Sequence, residues 1–103
     1  MDEGFRTISA YLPSSLALRA FQSQRFVLLR EISLRYSVIQ SACYVYDQES
    51  ECWGSGVSLE EAQADYEENL LAEYQGLRSD RESLSMLAQE RLRKLEELIG
   101  ETQ

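Results

Sequence analysis

The sequence predicts an α+β fold: a small antiparallel three-stranded sheet packed by helices, with a C-terminal amphipathic helix. Three observations carry this prediction. The run from Phe26 to Tyr46 is rich in Val, Ile, Tyr and Phe, with Tyr36, Val38, Ala42, Tyr44 and Tyr46 at even spacing and Gln40 as the polar interruption. Ser58-Leu59-Glu60-Glu61 is a capping box that opens a helix. Two later stretches carry apolar residues at helical spacing with charged residues opposite. With 103 residues the chain is the size of one domain, taken as 1–103.

Nearest the N-terminus, Phe5 to Leu12 is ambiguous. Pro13, the only proline, precedes Ser14 and Ser15 as possible N-caps of a short helix reaching Gln24, with Leu16, Ala17, Ala20 and Phe21 on its buried side. Two strands are expected at 26–33 and 35–46, although Leu28, Ile32, Ile39, Cys43 and Tyr46 also fit one long helical stripe. Asp47, Gln48, Glu49 and Ser50 tolerate a turn, and a third strand comes next at 51–57. A turn centred on Gln48 and Glu49 sets Tyr44 across from Trp53 as an aromatic pair and Val45 across from Cys52. Cys43 and Cys52 then lie diagonally, too far apart for a good disulfide. Gly54 and Gly56 leave room on the thiol face for the next helix. That helix buries Leu59, Ala62, Tyr66, Leu70 and Leu77, widened by Leu71 and Tyr74, and Gly76 is its expected stop. Ser79-Asp80-Arg81-Glu82 repeats the capping pattern and starts a last helix over 79–99, ended by Gly100. Its stripe is Leu84, Leu87, Ala88, Leu92, Leu95, Leu98 and Ile99.

Charge is unevenly placed. The net charge is −8, with 18 acids against 10 bases. Residues 1–46 hold five arginines and three acids; residues 47–77 hold nine acids and no base; residues 78–103 hold five bases and six acids. The acidity is thus one block, which reads either as a solvated helix face or as a surface that docks on a basic partner. A broad nucleic-acid surface would have to work against this field, and the Arg91, Arg93 and Lys94 cluster is interleaved with glutamates, so DNA binding is not supported.

Chemistry is restricted by what the chain lacks. There is no histidine, so Ser-His and Cys-His nucleophile pairs and mixed Cys/His zinc sites are excluded, and two cysteines cannot supply a four-thiolate site. Asp47, Glu49 and Glu51 alternate like calcium-loop ligands, but Cys52 stands where such a loop needs Gly and Ser58 where it needs a bidentate Glu. Gly54-Ser55-Gly56 before a helix would suit an anion if Glu60 and Glu61 did not stand in the next turn. No metal, cofactor or catalytic residue is expected. Asp2 and Glu3 occupy the place of a signal peptide's positive region, which favours a cytoplasmic location and free thiols at Cys43 and Cys52. The apolar run Phe26 to Leu29 is far below a membrane span. The stripe of the last helix is either the chain's own core or a homo-oligomer interface formed by Leu84, Leu87, Leu92, Leu95 and Leu98.

Residues 26–77 resemble the HicB-like antitoxin family. The most specific part is Gly56-Val57-Ser58-Leu59-Glu60-Glu61-Ala62, similar to the family's Gly-x-Ser/Thr-Leu-Glu-Glu-Ala junction, preceded by Tyr44-Val45-Tyr46-Asp47 and Cys52-Trp53-Gly54. The resemblance implies a non-enzymatic module that binds and blocks a small basic ribonuclease toxin, with Tyr44, Tyr46, Trp53, Glu60, Glu61, Glu67 and Glu68 as its contact residues. The chain departs from the family after residue 77, where it has one amphipathic helix instead of a DNA-binding module, and its first 25 residues have no family counterpart. The alternative reading is a small oligomeric scaffold that assembles through its C-terminal helix.

Overall fold

In the computed structural model, which describes residues 14–102, two β-layers and two helices share one core. Among the described residues five strands precede the helices: β1 (Ser14–Leu18), β2 (Phe26–Leu28), β3 (Ile32–Ile39), β4 (Ala42–Asp47) and β5 (Cys52–Gly56). Helix α1 (Leu59–Ser79), a 3₁₀ turn (Arg81–Ser83), helix α2 (Met86–Leu98) and strand β6 (Ile99–Glu101) follow. The main sheet is antiparallel in the order β1-β3-β4-β5, and β2 pairs with β6 in a separate ribbon. The α+β class stands, with four strands in the main sheet where three were expected.

The fourth strand is the segment read as a helix. Ser14–Leu18 pairs along β3, with Leu16 opposite Leu34 and Leu18 opposite Ile32. Its burial alternates, Leu16 and Leu18 facing the core and Ala17 facing out, which is the strand period. The expected pair of strands over 26–46 is also recut. Gln40 and Ser41 both take positive φ (49° and 69°) between paired Ile39 and Ala42, so a two-residue hairpin divides the second strand. Even spacing continues across it because a two-residue loop preserves the alternation. The Phe5–Leu12 ambiguity and Pro13 lie outside the described residues.

The β4–β5 turn is displaced by one residue from the expected centre, which moves the register by two. Asp47 pairs with Cys52 and Tyr46 with Trp53, while Val45 faces Gly54 and Tyr44 faces Ser55. The aromatic pair is therefore Tyr46–Trp53, ring centroids 4.5 Å apart, instead of Tyr44–Trp53. The physical cause lies in the loop. Asp47 accepts from the Glu49 amide (3.0 Å) and the Ser50 hydroxyl (2.7 Å), its carbonyl accepts from the Glu51 amide (2.7 Å), and Glu51 absorbs the left-handed position at φ 59°. Cys43 and Cys52 are both buried and free, as expected.

Gly54 and Gly56 bring α1 against the sheet. A Cβ on Gly54 would lie 2.2 Å from the Ala62 carbonyl oxygen and 2.4 Å from the Tyr66 amide nitrogen. One on Gly56 would lie 2.5 Å from the Glu61 Cβ. The helix starts as expected, the Ser58 hydroxyl accepting from the Glu61 amide at 3.1 Å. Ala62, Tyr66, Leu70, Leu71 and Tyr74 are its buried stripe, with Leu59 and Leu77 partly buried.

Three helix boundaries differ from expectation. α1 continues through Gly76, whose missing side chain faces open space, to Ser79. The second capping box is not formed; Ser85 caps α2 instead, accepting from the Ala88 amide at 3.2 Å. α2 then ends at Leu98, because Ile99 turns extended and β6 pairs antiparallel with β2.

Candidate functional site

The sheet divides the residues expected to meet a partner into two groups on opposite faces. Gly54 and Gly56 face α1, so Trp53 and Ser55, which alternate with them, face away from it. Tyr44 and Tyr46 share the outer face with Trp53 through the observed register. Tyr44 and Trp53 are partly exposed (36% and 42%), whereas Tyr46 is buried beneath its neighbours. Glu60, Glu61, Glu67 and Glu68 belong to α1, across the sheet. The aromatic and acidic residues therefore do not form one patch.

Within the acidic block, side chains divide by what they hold. Asp47 is 1% exposed and accepts from the Tyr66 hydroxyl at 2.8 Å as well as from its own turn. Burial beside this carboxylate pushes the Tyr66 hydroxyl far above the ordinary tyrosine value, so it stays a donor. Glu49 pairs with Arg30 through both oxygens (2.6 and 3.2 Å). Asp65 accepts from the Ser55 amide at 2.9 Å, and Glu67 accepts from the amides of Gln22 and Ser23 at 2.8 and 3.0 Å. Glu73 pairs with Arg91 on α2 and accepts from the Cys52 thiol at 3.3 Å. Five of the nine acids thus hold the fold together.

Glu60, Glu61 and Glu68 remain exposed on α1 and make no hydrogen bond or ion pair among the described residues. At 3.6 residues per turn they fall within an arc of about 100°. With exposed Ala64 between them, they form an acidic strip that nothing in the described fold uses. Glu67, the remaining expected contact, lies at the margin of that strip and is engaged by the β1–β2 loop.

The C-terminal stripe is mostly internal. Leu92, Leu95 and Leu98 are buried in the chain's own core and Leu84 packs partly against it. Of the five leucines considered for an oligomer interface, only Leu87 is strongly exposed, beside exposed Met86.

A cluster missed in the sequence joins three elements. Arg91 donates to the Ser50 carbonyl as well as to Glu73, so the β4–β5 turn, α1 and α2 meet at one guanidinium. Burial pushes the Cys52 thiol up to about 11, which leaves it protonated and unreactive at neutral pH. Alongside lies a cleft of about 230 Å³ lined by Arg30, Arg91, Arg93 and Lys94 with Glu49 and Glu97. Its arginines are already paired: Arg30 with Glu49, Arg91 with Glu73, and Arg93 with Glu90 and Glu97. Among the described residues no group of three His, Cys, Asp or Glu side chains could hold a metal ion, and no helix is long and apolar enough to cross a membrane.

Comparison of the chain with family models, curated proteins and solved structures returns no match.

Proposed function

We propose that the chain is a non-enzymatic protein-binding module of the HicB-like antitoxin kind, which neutralises a small basic ribonuclease by occupying its surface. The observation that carries this reading is the acidic strip of Glu60, Glu61 and Glu68, left exposed after the other acids of α1 have been engaged internally. Unpaired acids on one helical face speed encounter with a basic partner and discriminate against acidic ones. The strand–turn–strand–helix unit that presents the strip, with two glycines beneath α1, is the part of the chain that resembles the family. No side chain in this reading performs covalent chemistry; the strip acts by position and sign, and the protein works in the cytoplasm beside its partner.

The reading expects a small basic protein to be encoded beside the chain, and the test is co-expression with it. The wild-type chain is expected to relieve that protein's growth arrest and to co-purify with it at low salt. The triple variant E60K/E61K/E68K is expected to fold normally and to lose both effects. Relief that survives this charge reversal, or a wild-type chain that neither relieves nor co-purifies, would overturn the reading.

A further inference from the structure

The aromatic and acidic residues occupy opposite faces of the main sheet, yet both border its β5 edge. On the outer face Trp53 and Ser55 belong to β5, and Trp53 is 42% exposed. From the other face α1 closes over the edge: Asp65 accepts from the Ser55 amide (2.9 Å) and Asn69 donates to the Trp53 carbonyl (2.8 Å). These are the backbone groups that an added strand needs, so a partner meets this edge through side chains and not by strand addition. Glu61 lies one helical turn before Asp65, and Glu68 is next to Asn69, so the residues that hold Trp53 and Ser55 are flanked by the acidic strip. The edge is three strands from β1, about 14 Å across the sheet, on the far side from Ser14.

The Trp53 ring lies in a negative setting. It packs on Tyr46 with centroids 4.5 Å apart, and burial followed by the carboxylates of Glu51 and Asp47 raises the Tyr46 hydroxyl above its ordinary value. Glu51 is exposed and, like Glu61 and Glu68, makes no side-chain hydrogen bond or ion pair among the described residues. Arg35, the base in the same cross-strand row, stands two strands away beyond Tyr46. Arginines stack over rings elsewhere in the chain, Arg25 over Phe26 (4.9 Å) and Arg78 over Tyr74 (5.2 Å), but residues 47–77 hold no base that could serve Trp53 locally.

We propose that Trp53 anchors the partner: an arginine or lysine of a basic protein stacks on its exposed ring, and neighbouring bases reach round the β5 edge to Glu61 and Glu68. This rests on the proposed binding of a basic protein, and adds the residue that holds that protein and the side from which it approaches. Charge selects the occupant, since three unpaired acids border the ring and its strand. Exposed acids steer and discriminate but hold weakly, whereas tryptophan is among the residue types that most often carry binding energy once covered. A guanidinium suits both parts of the edge, its plane stacking on the indole and its N–H groups facing carboxylates. Position separates Trp53 from the other aromatic residues of this face: Tyr44 is one strand further in and Tyr46 is buried.

The test is calorimetric titration of the full chain with the small basic protein expected beside it, at low salt, for the wild type, Trp53→Phe, Trp53→Leu and the control Leu87→Ala on α2. Phenylalanine keeps a ring for a cation, and leucine keeps apolar bulk without one. Trp53→Phe is expected to bind within about threefold of the wild type and Trp53→Leu at least about tenfold more weakly, with Leu87→Ala unchanged and all circular dichroism spectra alike. Equal affinities for the Phe and Leu variants would overturn the proposal. If E60K/E61K/E68K abolishes binding while Trp53→Leu does not weaken it, the anchor is refuted and the acidic strip stands; a wild-type chain that binds no basic protein overturns both. Should Trp53→Leu fail to fold, acrylamide quenching of Trp53, the only tryptophan of the chain, replaces it, with the partner's own tryptophans changed to phenylalanine. Quenching is expected to fall in the complex, and unchanged quenching would overturn the proposal.

Discussion

At the scale of single residues, glycine separates positions that the fold requires from positions that it merely tolerates. Gly54 sits where two backbone atoms of α1 lie within 2.4 Å of any added Cβ, and backbone cannot swing aside as a flexible side chain can. Gly54→Ala is therefore expected to cost about 3 kcal/mol or more, by forcing helix and sheet apart. Gly76 is the opposite case, a helical residue with nothing within 4 Å of the missing side chain. Gly76→Ala is expected to stabilise the protein by about 0.5–1 kcal/mol, through the backbone freedom removed from the unfolded chain. Urea unfolding of the two variants checks both signs; equal effects would mean that α1 does not approach the sheet at Gly54. Sequence alone made Gly54 legible, since a glycine alternating with Trp53 in a strand marks a close approach, but it misread Gly76 as a stop. A glycine ends a helix only where the chain beyond it has nothing to gain from another turn, and here Leu77 carries buried surface past Gly76.

At the scale of elements, legibility tracks the range of the interactions. The start of α1 was readable because its cap is local: Ser58 and Glu61 are three residues apart. β1 was not, because Ser, Leu and Ala are acceptable to a helix and only the pairing with β3 makes them a strand. The β3–β4 hairpin was hidden because Gln40 and Ser41 lack the Asn-Gly signature of a turn with two positive φ values. The cluster around Glu73 had no local signal at all, since Ser50 and Cys52, Glu73, and Arg91 are brought together from three distant stretches of the chain. That cluster makes a pH prediction. The Arg91 guanidinium holds the Glu73 carboxyl below its ordinary value of 4.5, with a smaller contribution from the Cys52 thiol. A carboxyl with a lower folded than unfolded pKa stabilises the protein above the unfolded value, and that stability is lost as the pH falls through the folded one. Glu73→Gln is expected to be about 1 kcal/mol less stable at neutral pH and to melt more like the wild type as the pH drops below about 4.5. Thermal melts of both proteins between neutral pH and acid check this; a constant gap would show that Glu73 does not act through its charge.

At the scale of the whole molecule, β6 ties the segment after α2 to β2, more than 70 residues earlier in the sequence. β6 pairs with β2, placing Ile99 opposite Leu28, and the ribbon continues through the Leu29 amide to the Leu98 carbonyl (2.7 Å) and the Thr102 amide to the Arg25 carbonyl (2.8 Å). Arg25 and Arg78 both reach Glu101, and Phe26 meets Tyr74 of α1 edge to face at 5.8 Å. Leu92, Leu95, Leu98 and Ile99 belong to the same buried cluster as Ile32, Leu34 and Val45 of the main sheet. The amphipathic C-terminal helix is thereby part of the core: its stripe also covers a ribbon whose final strand is only three residues long and carries a glycine. A single core implies a single unfolding event. Ile99→Ala, which removes buried side-chain volume from the ribbon, is expected to cost about 2–4 kcal/mol in urea unfolding. Trp53, the only tryptophan, lies on the outer face of the main sheet, on the side away from α1, and reports on that sheet by fluorescence, while circular dichroism reports largely on the helices. Both signals are expected to shift together to the same lower midpoint in the variant. A circular dichroism transition that moves while the Trp53 transition stays in place would show instead that α2 and the β2–β6 ribbon unfold as a separate unit.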